Sequence, residues 1–241
     1  MVNESSNLTT ENSTNYWLFN LGDRSNITNS NISYAYQVNV SDNETSISNN
    51  NIRENEFIGI YITVNNTTIW NNTITESAPR MSYGILTPYN KNFNNISYNY
   101  IYNLTQSGAI GIQLGSTNNN NSIYYNIINV TQRYNFILDG NGDNNTIYGN
   151  YFSQAYGLAV IDGAVLITSG SDYNTFENNV VNGSSLISIA VYLSSTKNVF
   201  KNNVFTYGKS IGYDIDNSNY NTITNHITNN SFEFVYHGGS D

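Results

Sequence analysis

The chain has 241 residues, with 8 Lys and Arg against 17 Asp and Glu and a net charge of −9. That balance offers no basic patch for phosphates and argues against a nucleic-acid partner. The absence of Cys excludes disulfides and thiolate metal sites, and no run of about 18 apolar residues is present to cross a membrane as a helix.

Charged residues make up only 10% of the chain, and its polarity comes from 48 Asn together with Ser, Thr and 21 Tyr. An aromatic content of 14% and regularly spaced Ile supply enough buried area to order it. Residues 1–25 precede the first clear repeat and are expected to form a cap or linker, with Trp17, Leu18 and Phe19 over an open core. Residues 26–236 then repeat an apolar anchor: Ile27, Ile47, Ile69, Ile96, Ile123, Ile147, Phe176, Phe200 and Ile223. Five residues after each comes a second: Ile32, Ile52, Ile74, Ile101, Ile128, Phe152, Val181, Phe205 and, in the last repeat, Thr228. Between the anchors sits Asn-Asn or a relative of it, as in Asn49-Asn50, Asn71-Asn72 and Asn178-Asn179. Residues 237–241 are expected to form a disordered tail.

Spacings of 20 to 29 residues indicate a solenoid whose repeats must stack to bury their apolar faces. Asn, Thr, Ser, Tyr and Ile dominate each repeat, which favours strand over helix. A further apolar segment appears in every repeat, for example Gly59-Ile60-Tyr61-Ile62, Gly111-Ile112-Gln113-Leu114 and Ala159-Val160-Ile161. The expected architecture is therefore all-β, a solenoid of about nine coils with three short strands per coil. Asn belongs at the bend because it tolerates left-handed backbone and, stacked coil over coil, hydrogen-bonds along the axis as a ladder.

The runs Asn121-Ser-Ile-Tyr-Tyr-Asn-Ile-Ile and Asn145-Thr-Ile-Tyr-Gly-Asn-Tyr-Phe resemble the right-handed parallel β-helix repeat family. That family includes pectate-lyase-like and NosD-like proteins and Asn-rich archaeal adhesin-like surface proteins. The resemblance covers about residues 25–235 and implies a single-stranded right-handed parallel β-helix. It specifies the fold far better than the function, since the architecture hosts lyases, hydrolases, adhesins and spikes alike. In its enzymes the site lies on the outer face of one sheet. If Ile60, Ile85, Ile112, Phe136 and Val160 point inward, the corresponding outward stripe is Tyr61, Leu86, Gln113, Ile137, Ile161, Tyr192, Asp214 and Glu233.

Several residues are candidates for chemistry. Asp139, Asp162 and Arg133 could converge as a carboxylate–Arg constellation for a polysaccharide lyase or glycoside hydrolase, although Asp139-Gly and Asp162-Gly are also turn dipeptides. Asp139, Asn141 and Asp143 space oxygen ligands like the start of a calcium loop, with Asn150 where the bidentate Glu belongs. His226 substitutes for Asn in the ladder position, and no other cofactor is expected. Tyr61, Tyr192, Tyr98 and Tyr125 are candidate ligand-binding residues, because Tyr stacks on sugars and on partner surfaces. Seventeen Asn-x-Ser/Thr sequons occur; among them Asn7, Asn26, Asn65, Asn71, Asn95, Asn103, Asn129, Asn144, Asn182 and Asn229 are candidate glycosylation sites in an exported protein. The functional expectation is an extracellular, cell-surface glycoprotein with a structural, adhesive or carbohydrate-binding role, whose partners are glycans, other surface proteins or copies of itself. A polysaccharide-active enzyme is the alternative. An ice-binding solenoid ranks last, on the ground that variable coil length opposes a flat, regular face.

Overall fold

A computed structural model describes residues 7–9, 18–21, 25–77, 79–155, 163–183, 187–191, 195–206, 211–216, 218, 220–229 and 233–238. The chain winds as a parallel β-solenoid with three strands per coil and no helix among the described residues. Sheet A holds nine strands, from Asn26–Thr28 to Thr222–Thr224. Sheet B holds ten, from Asn7–Thr9 to Ile227–Asn229, and sheet C ten, from Leu18–Leu21 to Glu233–Gly238.

Both ends of the chain add strands beyond the repeat read from the anchors. Asn7–Thr9 pairs in parallel with Asn31–Ser33, and Leu18–Leu21 with Gln37–Val40. Backbone within 1–25 therefore continues the sheets; Asn7-Leu8-Thr9 repeats the pattern of Asn31-Ile32-Ser33 without a preceding Ile anchor. Trp17 lies outside the described residues. At the other end Glu233–Gly238 pairs with Ile211–Asp216, so His237, expected in a tail, is a strand residue opposite Ile215.

Short strands present their residues out, in, out. On sheet A the inward column is Ile27, Ile47, Ile69, Ile96, Ile123, Ile147, Phe176 and Phe200, all fully buried. Ile32 through Phe205 form the matching column of sheet B, and Val38, Ile60, Ile85, Ile112, Phe136, Val165 and Ile189 that of sheet C.

Two hydrogen-bonded Asn ladders bound sheet A. In the first, the backbone N–H of each rung donates to Oδ1 of the next: Asn50 to Asn72, Asn72 to Asn99, Asn99 to Asn126, Asn126 to Asn150 and Asn150 to Asn179, at 2.9–3.0 Å. The second, at the other end of the strand, runs Asn94, Asn121, Asn145, Asn174, Asn198 and Asn221 at 2.8–2.9 Å. The two ladders are five residues apart in every coil they share, as at Asn94–Asn99, Asn121–Asn126 and Asn174–Asn179. Coil lengths of 20 to 29 residues thus vary entirely outside this segment.

Labour is divided within each Asn pair. The second residue forms the ladder, while the first takes the left-handed conformation, as at Asn49, Asn71, Asn178 and Asn202 with φ of 53–57°.

His226 ends the first ladder. Its ring stacks on Phe205 at 6.1 Å, with a ring nitrogen 3.2 Å from the Phe200 carbonyl oxygen. Burial lowers its pKa below the ordinary 6.5, against the opposing pull of the Phe200 and Asn203 backbone hydrogen bonds. As pH falls through 6.5 the unfolded chain takes up a proton that the folded chain still refuses. Stability is therefore full above that pH and declines on acidification. The expected result is a Tm that drops between neutral and mildly acidic pH, with a shallower drop in His226→Asn, measured by thermal unfolding across that range.

Candidate functional site

Sheet C does not carry the stripe expected of it. Its strand Gly163–Ile167 is in register with the preceding one through Phe136–Val165 and Ile137–Leu166, so Val165 rather than Val160 points inward. The outward column is Tyr61, Leu86, Gln113, Ile137 and Leu166, and the backbone register continues it through positions 190, 214 and 236. Glu233 sits three positions earlier on its strand than the stripe requires, opposite Ile211. Ile161 and Tyr192 lie outside the described residues. Two apolar runs, 158–161 and 163–167, compete in the longest coil. The second is the run that pairs in register with the coils on both sides, with Val165 opposite Phe136 and Ile189.

Arg133 and Asp139 are not brought together. Arg133 precedes the strand Tyr134–Leu138 and Asp139 follows it, so six residues of extended chain, about 20 Å, separate them. Arg133 instead lies over the Tyr134 ring, 5.0 Å from its centroid. Asp162 lies outside the described residues and precedes its strand, which begins at Gly163, whereas Asp139 follows its own.

The proposed calcium ligands lie in a hydrogen-bonded turn. Gly140 and Asn141 are left-handed, the Asp143 N–H donates to Asn119 Oδ1, and Asp143 Oδ1 accepts the Asp172 N–H at 2.8 Å. Asp143 is thereby a rung of a third ladder that includes Asn65, Asn92, Asn119 and Asp172. Among the described residues no group of three or more His, Cys, Asp or Glu is placed to hold a metal ion.

Some of the sequons follow from the coil itself. A left-handed Asn, then a ladder Asn, then an outward hydroxyl residue spells Asn-Asn-Thr, as at Asn71-Asn72-Thr73 and Asn144-Asn145-Thr146. Asn26, Asn71 and Asn144 are exposed. Asn65, Asn95, Asn103, Asn129 and Asn182 are half-buried and hydrogen-bonded; Asn103 Nδ2, for instance, donates to the Glu76 carbonyl. The side chains of Asn7 and Asn229 lie outside the described residues.

The arrangement best suited to a ligand is on sheet A and its first corner. Outward on sheet A, in register, stand Trp70, Ser97, Tyr124 and Tyr148, beside a parallel column of Thr68, Asn95, Ser122 and Thr146. At the corner next to them are Tyr98 and Tyr125, 48% and 43% exposed. These two tyrosines occupy the left-handed position, with φ of 56° and 54°, where other coils place Asn or Gly. A bulky side chain there costs on the order of 1 kcal/mol or more relative to Asn or Gly. Burial does not explain it, since both rings remain open to solvent.

The rings form a floor and a wall. Tyr98 and Tyr125 lie 5.2 Å apart and 32° from parallel. Tyr124 and Tyr148 stand nearly perpendicular to Tyr125, at 84° and 87°. The Tyr124 hydroxyl accepts a 2.8 Å hydrogen bond from Asn95 Nδ2 in the preceding coil, which draws the ring along the sheet. Hydrogen bonding with Tyr148 raises the pKa of Tyr125. Around the corner Tyr100 and Tyr102 stack at 4.6 Å. Tyr61 belongs elsewhere, on sheet C, where burial and then Tyr89 raise its pKa. Of the four candidate ligand-binding tyrosines, only Tyr98 and Tyr125 are placed together.

Regularity is also greater than the coil lengths suggest. Because the variation lies outside the five-residue segment, sheet A is evenly repeated; what denies it a flat face is the bulk of Trp70, Tyr124 and Tyr148. The second ladder was missed in the sequence, although the first Asn of Asn-x-Ile-x-x-Asn marks it.

The family described as right-handed β-helix region matches residues 1–180. No characterised protein matches the chain in sequence. Among solved structures it resembles the DFA-IIIase of Arthrobacter chlorophenolicus A6 in complex with GF2, at 16% identity and a TM-score of 0.64, covering 80% of this chain and 53% of that one. The A-module of the mannuronan C-5 epimerase AlgE6 of Azotobacter vinelandii matches at 14% identity and a TM-score of 0.66, over 85% of this chain and 57% of that one. The periplasmic alginate epimerase AlgG gives 14%, 0.67, 90% and 60% respectively. The chain thus spans 53–60% of the length of these structures, and the likeness is one of fold.

Proposed function

The chain belongs to the right-handed β-helix family, and from that premise we propose that it is an extracellular surface protein that binds carbohydrate on the aromatic corner of its rod. The observation that carries this is the pair Tyr98 and Tyr125, exposed aromatic rings held in left-handed backbone at positions where Asn makes the same turn with less strain. Tyr34, Phe93, Tyr173 and Tyr220 are also exposed and left-handed, but Tyr98 and Tyr125 lie ring to ring, 5.2 Å apart, on adjacent coils. Tyr rings suit sugars, offering an apolar face to the C–H side of a pyranose and a hydroxyl to its polar rim. That structural relatives are proteins of alginate epimerisation and of a GF2 complex is consistent with a saccharide ligand.

The test is the double variant Tyr98→Asn/Tyr125→Asn, assayed by calorimetric titration against a glycan panel and by thermal unfolding. The expected result is a glycan affinity lowered about tenfold or more, with a Tm that holds or rises as left-handed strain is relieved. A variant that unfolds earlier and still binds as well as the parent contradicts the proposal.

A further inference from the structure

We infer that the ligand of this corner is a linear, uncharged polysaccharide lying along the solenoid axis on sheet A, with about one sugar per coil; this rests on the carbohydrate-binding reading above. The five-residue segment between the two ladders fixes the outward groups of sheet A at the strand spacing, about 4.8 Å per coil, whatever the length of the rest of the coil. An extended chain of pyranose rings advances by about the same distance per unit, one ring plus one bridging oxygen. Successive sugars therefore meet the same kind of group in each coil.

What they meet is a two-sided trough. The floor rings Tyr124 and Tyr148 stand nearly perpendicular to the wall ring Tyr125, and Trp70, 41% exposed, continues the floor column. Beside it runs the hydrogen-bonding column Thr68, Asn95, Ser122 and Thr146. Ser97, outward on the strand between Trp70 and Tyr124, is only 1% exposed, and its Oγ has no hydrogen-bond partner among the described residues; neither has Asn95 Oδ1.

Charge selects the class of sugar. Neither column carries a charged residue from Trp70 to Tyr148; the first charges along it, Glu177 and Lys201, pair with each other at 3.3 Å. A net charge of −9 also opposes a polyanion such as a uronate chain.

The experiment is calorimetric titration with neutral β-linked oligosaccharides from disaccharide to hexasaccharide, and with oligouronates of the same lengths. The proteins are the parent chain, Tyr124→Ala, Tyr148→Ala, Tyr61→Ala and the control Tyr89→Ala, each checked for folding by circular dichroism. Affinity for the neutral series is expected to climb with chain length and level off near the span of the trough. Tyr124→Ala and Tyr148→Ala should each lower it about three- to tenfold, Tyr89→Ala should leave it unchanged, and oligouronates should bind more weakly. Neutral binding that ignores chain length, that prefers oligouronates, or that is lost in Tyr61→Ala but not in Tyr124→Ala or Tyr148→Ala overturns the inference and leaves carbohydrate binding standing. So does a dimer, seen by light scattering, that Tyr148→Ala dissolves. Failure of the parent chain to bind any glycan overturns both.

Discussion

Replacing Asn126 with leucine is expected to lower the stability of the rod by about 4 kcal/mol, the largest effect of any polar substitution in the chain. Asn126 sits mid-ladder and is fully buried. Its Oδ1 accepts two hydrogen bonds, from the Asn99 N–H at 2.9 Å and from Asn99 Nδ2 at 3.0 Å. Its Nδ2 donates to the Ile96 carbonyl at 2.8 Å and to Asn150 Oδ1 at 3.0 Å. Leucine has similar volume and fills the space, so the loss is polar. The Asn99 N–H is left in the interior without a partner, costing about 1–3 kcal/mol, and the amide bonds to Asn99 Nδ2, the Ile96 carbonyl and Asn150 Oδ1 are lost with it. For a chain of this length that corresponds to a Tm roughly 8–16 °C lower. Asn71→Gly is the contrast. Asn71 is the exposed, left-handed member of its pair, and Gly149 already holds the equivalent corner of another coil with φ of 64°. That change should stay within about 1 kcal/mol. Comparable losses in the two variants, measured by thermal and urea unfolding, contradict the division of labour within the Asn pair.

Phe176→Ala should cost about 3–5 kcal/mol. The ring is fully buried, stacked on Phe200 at 5.3 Å and 22°, and edge-on to Phe136 at 6.0 Å. The core is aliphatic in the earlier coils and fills with Phe136, Phe152, Phe176, Phe200 and Phe205 toward the C-terminal half. Truncating one ring leaves a cavity that neighbours held by the ladders on both sides cannot close. Ile147→Val, one coil away in the same column, should cost about 1 kcal/mol. Because each coil contacts only its neighbours, hydrogen exchange in Phe176→Ala should speed most in the coils around residues 147–205 and least near residue 47. Uniform acceleration along the rod is the opposing result.

The fold was legible in the sequence because two things recur in it at once. The apolar anchors give the column that must be inward, and Asn between them gives the corner. What spacing alone could not choose was the strand in the longest coil, where 158–161 and 163–167 are equally apolar; there the pairing of Val165 with Phe136 and Ile189 in the neighbouring coils picks 163–167. The first strands were missed for the opposite reason: Asn7-Leu8-Thr9 lacks an Ile anchor ahead of it.

The site was legible only as a cluster. Tyr98 and Tyr125 stand out by composition, but their significance depends on a positive φ and on solvent exposure, which no residue count supplies. Asp139 and Arg133 looked convergent because both flank one apolar strand, and a strand keeps its two ends apart. The sequons look like an export signal, yet those of Asn71, Asn120 and Asn144 arise where the corner itself asks for an Asn pair.

Everything functional here depends on the ladders holding one segment constant from coil to coil. Side-chain amide exchange, followed by NMR, reads those ladders directly. The Nδ2 protons of Asn99, Asn126 and Asn150 should exchange slowly, at rates set by opening of the rod, while those of the exposed Asn26 and Asn144 exchange at rates close to free asparagine. Equal, fast exchange in both groups contradicts the stacked asparagine columns, and with them the regular face on which the sugar is placed.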